Sequence, residues 1–157
     1  MKRRDLLLTF GLAAVGQVAP RMARAQTGPA GRKPETDKPF AEHFLALQLS
    51  DSDPKKERLV LSVASNLLKF YGTDKIAINV VAFGPGIDLL REENQYRALV
   101  DSLVTQGVRF DVCGNTLDTI ERETGTRPRI NPHAIEIEAG VERLLTLVES
   151  GYTIVRP

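Results

Sequence analysis

The stretch Ile76–Phe83 is apolar at every position except Asn79. A run that short and that apolar is what a strand buried on both faces requires. Segments of helical period flank it, so the pattern is that of a parallel sheet with helices packed on its faces. The rest of the chain from Phe40 keeps the same alternation. A first strand is expected at His43–Leu49, after which Ser50-Asp51-Ser52-Asp53-Pro54 supplies capping residues and a proline suited to a first helical turn. Leu59, Leu61, Val63, Ala64, Leu67, Leu68 and Tyr71 then give an apolar face to a helix ending near Gly72. Gly84-Pro85-Gly86 stops the second strand, and a helix-forming region follows, broken around Glu92–Asn94 and resuming from about Gln95 to Gln106. Val108–Val112 is the third strand. Cys113-Gly114-Asn115-Thr116 leads into a short helix to about Glu123, Thr124–Pro132 is a loop, and Ala134–Glu138 alternates as a fourth strand. Val141–Ser150 is a last amphipathic helix, and Tyr152–Val155 a final short strand.

The first 25 residues do not belong to this pattern. Lys2, Arg3 and Arg4 form a basic start, Leu6–Ala19 is a diluted apolar stretch, and Ala23-Arg24-Ala25 is a small-x-small site read by signal peptidases. The apolar stretch is too short to span a bilayer. Arg3-Arg4 followed by Asp5-Leu6-Leu7, with a weakly apolar core, matches the layout of a twin-arginine signal, and implies export to the periplasm with cleavage before Gln26. Five basic residues and one acidic lie in this segment, so its removal takes the formal charge from +1 to −3. That excludes a basic nucleic-acid footprint. Gln26–Pro39, rich in Gly, Pro, Thr and charge, reads as a flexible leader, and residues 40–157 as one domain.

Loops at the carboxyl ends of parallel strands gather on one edge and form the binding crevice. Here they are Ser50–Asp53, Gly84–Gly86 and Cys113–Thr116. His43 and His133 each precede a strand and are expected at the opposite edge, which argues against a Cys-His dyad. Cys113, the only cysteine, ends a strand and immediately precedes a helix N-terminus, where backbone N–H groups favour a thiolate. It reads either as a nucleophile or as a small buried hydrophobe. Gly114 permits close approach of a ligand, Asn115 is placed to cap the following helix, and Thr116 completes the loop. Gly84-Pro85-Gly86 reads either as a turn or as an anion-facing loop of backbone N–H groups, and Asp51 as a cap or a ligand contact. Arg91 and Arg97 are candidates for pairing with an anion. Glu136, Glu138 and Glu142 lack metal-ligand spacing with any Cys or His, so no metal is expected.

Several blocks resemble the DsrE/DsrF-like family: the Ser50-Asp51-Ser52-Asp53 turn, Asn66-Leu67-Leu68, Val80-Val81-Ala82-Phe83-Gly84-Pro85-Gly86, and above all Gly107-Val108-Arg109-Phe110-Asp111-Val112-Cys113-Gly114-Asn115-Thr116. Val141-Glu142-Arg143-Leu144 and Gly151-Tyr152-Thr153-Ile154 also fit, so the likeness covers about residues 40–157. The resemblance implies a three-layer α/β/α domain with a five-stranded, mainly parallel sheet and homotrimeric or homohexameric assembly. It also implies sulfur relay, in which Cys113 carries a persulfide between donor and acceptor partners without a cofactor. The competing expectation is a non-catalytic oligomeric module that binds a small ligand or partner in the same cleft, with Cys113 inert.

Overall fold

The computed structural model describes residues 36–157. The expected signal peptide and most of the expected leader lie outside the described residues. β1 (His43–Leu49), β2 (Ile76–Ala82), β3 (Val108–Cys113), β4 (Ile135–Ile137) and β5 (Thr153–Val155) form one sheet in the order β4-β3-β2-β1-β5, with every pairing parallel. The helices are α1 (Pro54–Tyr71), α2 (Arg97–Thr105), α3 (Gly114–Thr124) and α4 (Gly140–Glu149), and a 3-10 helix spans Gly84–Leu90. None of them is long and apolar enough to cross a membrane.

Crossovers between parallel strands are right-handed, and this rule distributes the helices. From β1 to β4 each step moves one place in the same direction, so α1, α2 and α3 share one face. The step from β4 to β5 returns across the whole sheet, and α4 must lie on the other. The two cores follow this division. Val60 and Leu68 of α1, Val100 and Leu103 of α2 and Leu117 of α3 pack with Leu47, Val80 and Phe110. Leu144 and Leu147 of α4 pack with Ala46, Ala77, Val81 and Tyr152. The result is a three-layer α/β/α domain, with three helices on one face and one on the other.

The local chemistry accounts for most boundaries. Asp53 caps α1 by accepting the Lys55 N–H at 2.9 Å, and Pro54 opens the helix where no N–H is needed. All seven residues of β2 are buried. The segment after β2 differs from expectation, since it winds as a tight 3-10 helix and α2 begins only at Arg97. Asn94 makes the break: its Oδ1 accepts from the Tyr96 N–H at 2.8 Å and its Nδ2 donates to the Asp88 carbonyl at 2.9 Å. Lys38, assigned to the leader by composition, belongs to the fold. Its Nζ donates to the carbonyls of Thr73, Ile76 and Gln106, and the partial burial this requires lowers its pKa.

Gly86 shows how closely the post-β2 segment docks. A Cβ there would stand 2.3 Å from the Leu49 carbonyl oxygen at the end of β1, a backbone atom that cannot swing aside. Gly86→Ala is therefore expected to destabilise the domain by about 1–3 kcal/mol, measured by urea unfolding. Unchanged stability would contradict this packing.

Candidate functional site

A cleft of about 630 Å³ opens at the carboxyl edge of the sheet between the 3-10 helix and α3. Gly84, Pro85, Ile87, Asp88 and Arg91 form one wall, Asn115, Thr116, Thr119 and Ile120 the other, and Ser52 borders it from the loop after β1. Ile87 and Ile120 belong to the core on the three-helix face, so the cleft lies on that face. Thr116 ties the walls together, its Oγ1 accepting the Gly84 N–H at 3.0 Å. Gly84 begins the turn at a φ of 53°, in the left-handed region that a glycine enters without strain.

Arg91 is the cation at this cleft. Its Nε lies 3.2 Å from Asp88 and its Nη1 3.6 Å from Glu93. The strap Arg129–Asn131 lies over its backbone, through an antiparallel bridge between Arg91 and Ile130, the Glu92 N–H on the Arg129 carbonyl, and the Asn131 N–H on the Leu90 carbonyl. Such a cleft, apolar in its walls with a few polar groups at fixed places, suits a small molecule with an apolar body and a polar end.

The expected site residues divide into two groups. Gly84, Pro85, Asn115 and Thr116 come together in the cleft. Asp51, Gly86, Cys113 and Gly114 do not line it. Asp51 instead pairs with Lys56 at 3.0 Å and Arg156 at 2.9 Å, and those bonds hold its carboxyl below its usual pKa. Gly86 is buried against β1. Asn115 does not cap α3: the cap position is Cys113, with no side-chain bond, while Asn115 sits inside the helix and its N–H donates to the Glu138 carbonyl at 3.1 Å. Arg97 faces Glu92 and Asp101 rather than the cleft.

Cys113 is 6% exposed. Val108, Phe110 and Val112 of β3 point into the three-helix core; by the two-residue period of a strand, Arg109, Asp111 and Cys113 point to the α4 face. The thiol lies where α3 and α4 depart to opposite sides of neighbouring strands, a place where open sheets usually leave a crevice. Here the chain fills it. Cys113 Sγ is 4.0 Å from the Glu138 carbonyl, its only hydrogen-bond neighbour among the described residues. A Cβ on Gly140 would come within 2.8 Å of Phe83, so α4 begins pressed against that ring. His43 opens β1 with its ring 4.0 Å from that of Tyr71, and His133 is an exposed loop residue, so neither lines the cleft.

Thr119, Ile120, Ile87 and Asp88 are cleft residues that the sequence reading did not single out. Thr119 and Ile120 stand three to five residues beyond Asn115 and Thr116, and helical spacing could have placed them on the same face. Glu57 was also missed. It is 1% exposed, its Oε2 accepts from Asn94 at 3.3 Å, and its Oε1 has no partner among the described residues. Burial, with the nearby charges of Asp88 and Asp53 adding to it, raises its pKa.

No family model and no curated protein matches this sequence. Among solved structures the fold is similar to MTH1491 from Methanobacterium thermoautotrophicum, a protein of unknown function. The two are 25% identical with a TM-score of 0.67, and the match covers 74% of this chain and 100% of that one. This likeness supports the fold.

Because the folded pKa of Glu57 is raised, its charge opposes folding at neutral pH, and stability is gained as the pH falls through that raised pKa. Glu57→Gln is expected to raise the melting temperature at pH 7 and to shrink that advantage toward pH 4. A variant less stable than the parent at pH 7 would show that the buried charge is compensated.

Proposed function

We propose that this chain is an exported small-ligand-binding protein of the DsrE/DsrF-like kind, and that the cleft between the 3-10 helix and α3 is its binding place. The observation that carries the reading is the cleft itself: apolar walls fixed by Ile87 and Ile120, with Arg91 at one end and the Thr116–Gly84 bond holding the walls together. The occupant it fits has an apolar body and an anionic end. An oligomer belongs to the same proposal. Val141, Leu145 and Val148 repeat along the outer side of α4 at helical spacing and are exposed, Leu145 to 60%, although the inner side of that helix already carries Leu144 and Leu147. A helix apolar on both sides is suited to burial between subunits.

An anilinonaphthalene sulfonate dye has the required apolar body and anionic end. It is expected to bind saturably at one site per chain, and Thr119→Trp, which fills the cleft, is expected to weaken binding at least about tenfold. Equal binding by the variant would move the site elsewhere.

A second reading is favoured by the position of Cys113 directly ahead of α3, at the junction where α3 and α4 diverge. In it Cys113 carries sulfane sulfur between a donor and an acceptor in the periplasm, reached when the Glu138–Gly140 segment lifts. Intact-mass measurement after incubation with polysulfide would then show added sulfur on the parent and none on Cys113→Ser. A parent protein that gains no sulfur would leave the cleft as the functional feature and Cys113 as a core residue.

A further inference from the structure

A second cavity, about 470 Å³ and polar, opens on the α4 face, with Lys38, Asn79, Arg109, Arg143, Ser150 and Tyr152 among its walls. Among the described residues one helix covers that face, and the cavity lies beside it, between α4, residues 36–38 and the strands β2 and β3. Asp111, 0% exposed, sits beneath it. Three donors hold the carboxylate: Arg109 Nε at 2.7 Å on Oδ1, Arg143 Nε at 2.8 Å and Asn79 Nδ2 at 3.0 Å on Oδ2.

The donors used leave specific groups over. Both arginines meet Asp111 through Nε, and among the described residues their terminal amino groups have no acceptor. Asn79 is oriented by its bond to Asp111, so its Oδ1 is left buried and without a donor. Asn79 Nδ2 and Arg143 Nε share one carboxylate oxygen, so the orphan acceptor and the guanidinium belong to the same cluster around Asp111. Lys38 is engaged by three carbonyls, the charge of Asp74 acts on it, and Asp37 adds one negative charge to the cavity wall. Two guanidinium charges against one buried carboxylate leave a surplus of one positive charge. Burial raises the pKa of Tyr152, keeping its hydroxyl neutral beside them.

We infer that this cavity binds a small hydroxylated monocarboxylate, its carboxylate on the terminal amino groups of Arg109 and Arg143 and its hydroxyl donating to Asn79 Oδ1. The planar fork of a guanidinium matches a carboxylate. A single positive surplus suits a monoanion, while the fixed charge of Asp111 works against a dianion. This site lies on the opposite face of the sheet from the cleft and does not depend on what the cleft binds.

The test is an NMR titration of the full chain that follows the Nε–Hε signals of Arg109 and Arg143, with glycolate, acetate and sulfate as probes. Glycolate is expected to shift both signals saturably, acetate to bind more weakly for want of the hydroxyl, and sulfate more weakly than either. Arg143→Lys keeps the charge and loses the fork, and is expected to reduce glycolate affinity about tenfold. Asn79→Ser is expected to narrow the gap between glycolate and acetate. If a variant fails to fold, the three-anion series on the parent still decides. Absence of a saturable shift, sulfate binding as tightly as glycolate, or an Arg143→Lys variant of unchanged affinity would overturn the inference.

Discussion

The handedness of the crossovers is the constraint on which the rest of this structure depends. With strand order β4-β3-β2-β1-β5 and all strands parallel, three successive right-handed steps put α1, α2 and α3 on one face, and the long return to β5 puts α4 alone on the other. The crowded face forms the larger core and, at its carboxyl edge, the cleft between the 3-10 helix and α3. The thinly covered face keeps a polar network on β2 and β3 that a second helix would have displaced. Both cavities follow from one topological fact.

The same constraint separates two features that the sequence places side by side. Cys113 and Asn115 are two residues apart, yet β3 directs the thiol toward α4 while α3 carries Asn115 and Thr116 to the cleft. The thiol lies at the junction where a ligand crevice commonly forms, and there it is buried with the Glu138 carbonyl 4.0 Å away. The thiol, 6% exposed, has little access to solvent in the folded chain, whereas the cleft stands open.

Much of the architecture was legible in the sequence because local signals agreed with it. The unbroken apolar run at 76–83, the Asp53-Pro54 helix start and the alternation of Val108, Phe110 and Val112 each has one natural reading. The strand period also held the orientation of Cys113, since Arg109 and Asp111 share its face. What one chain could not reveal was that α4 would lie on the face opposite the other helices, because that depends on β5 joining the sheet beside β1 instead of β4. Pairwise contacts were equally hidden. Nothing local marks Asp51 for Lys56 and Arg156, Gly86 for the Leu49 carbonyl, or Glu57 for burial behind Asn94, since each partner arrives from another element.

Cys113 and the cleft lie on opposite sides of the sheet, and the thiol is buried in the folded chain. The rate at which an aromatic disulfide reagent modifies Cys113, in native protein and in denaturant, tests this placement most directly. Native modification is expected to be slower by about a hundredfold, as for a thiol exposed only by local opening, and to keep the same rate when Thr119→Trp fills the cleft. Native modification as fast as in denaturant, or a rate changed by Thr119→Trp, would contradict it.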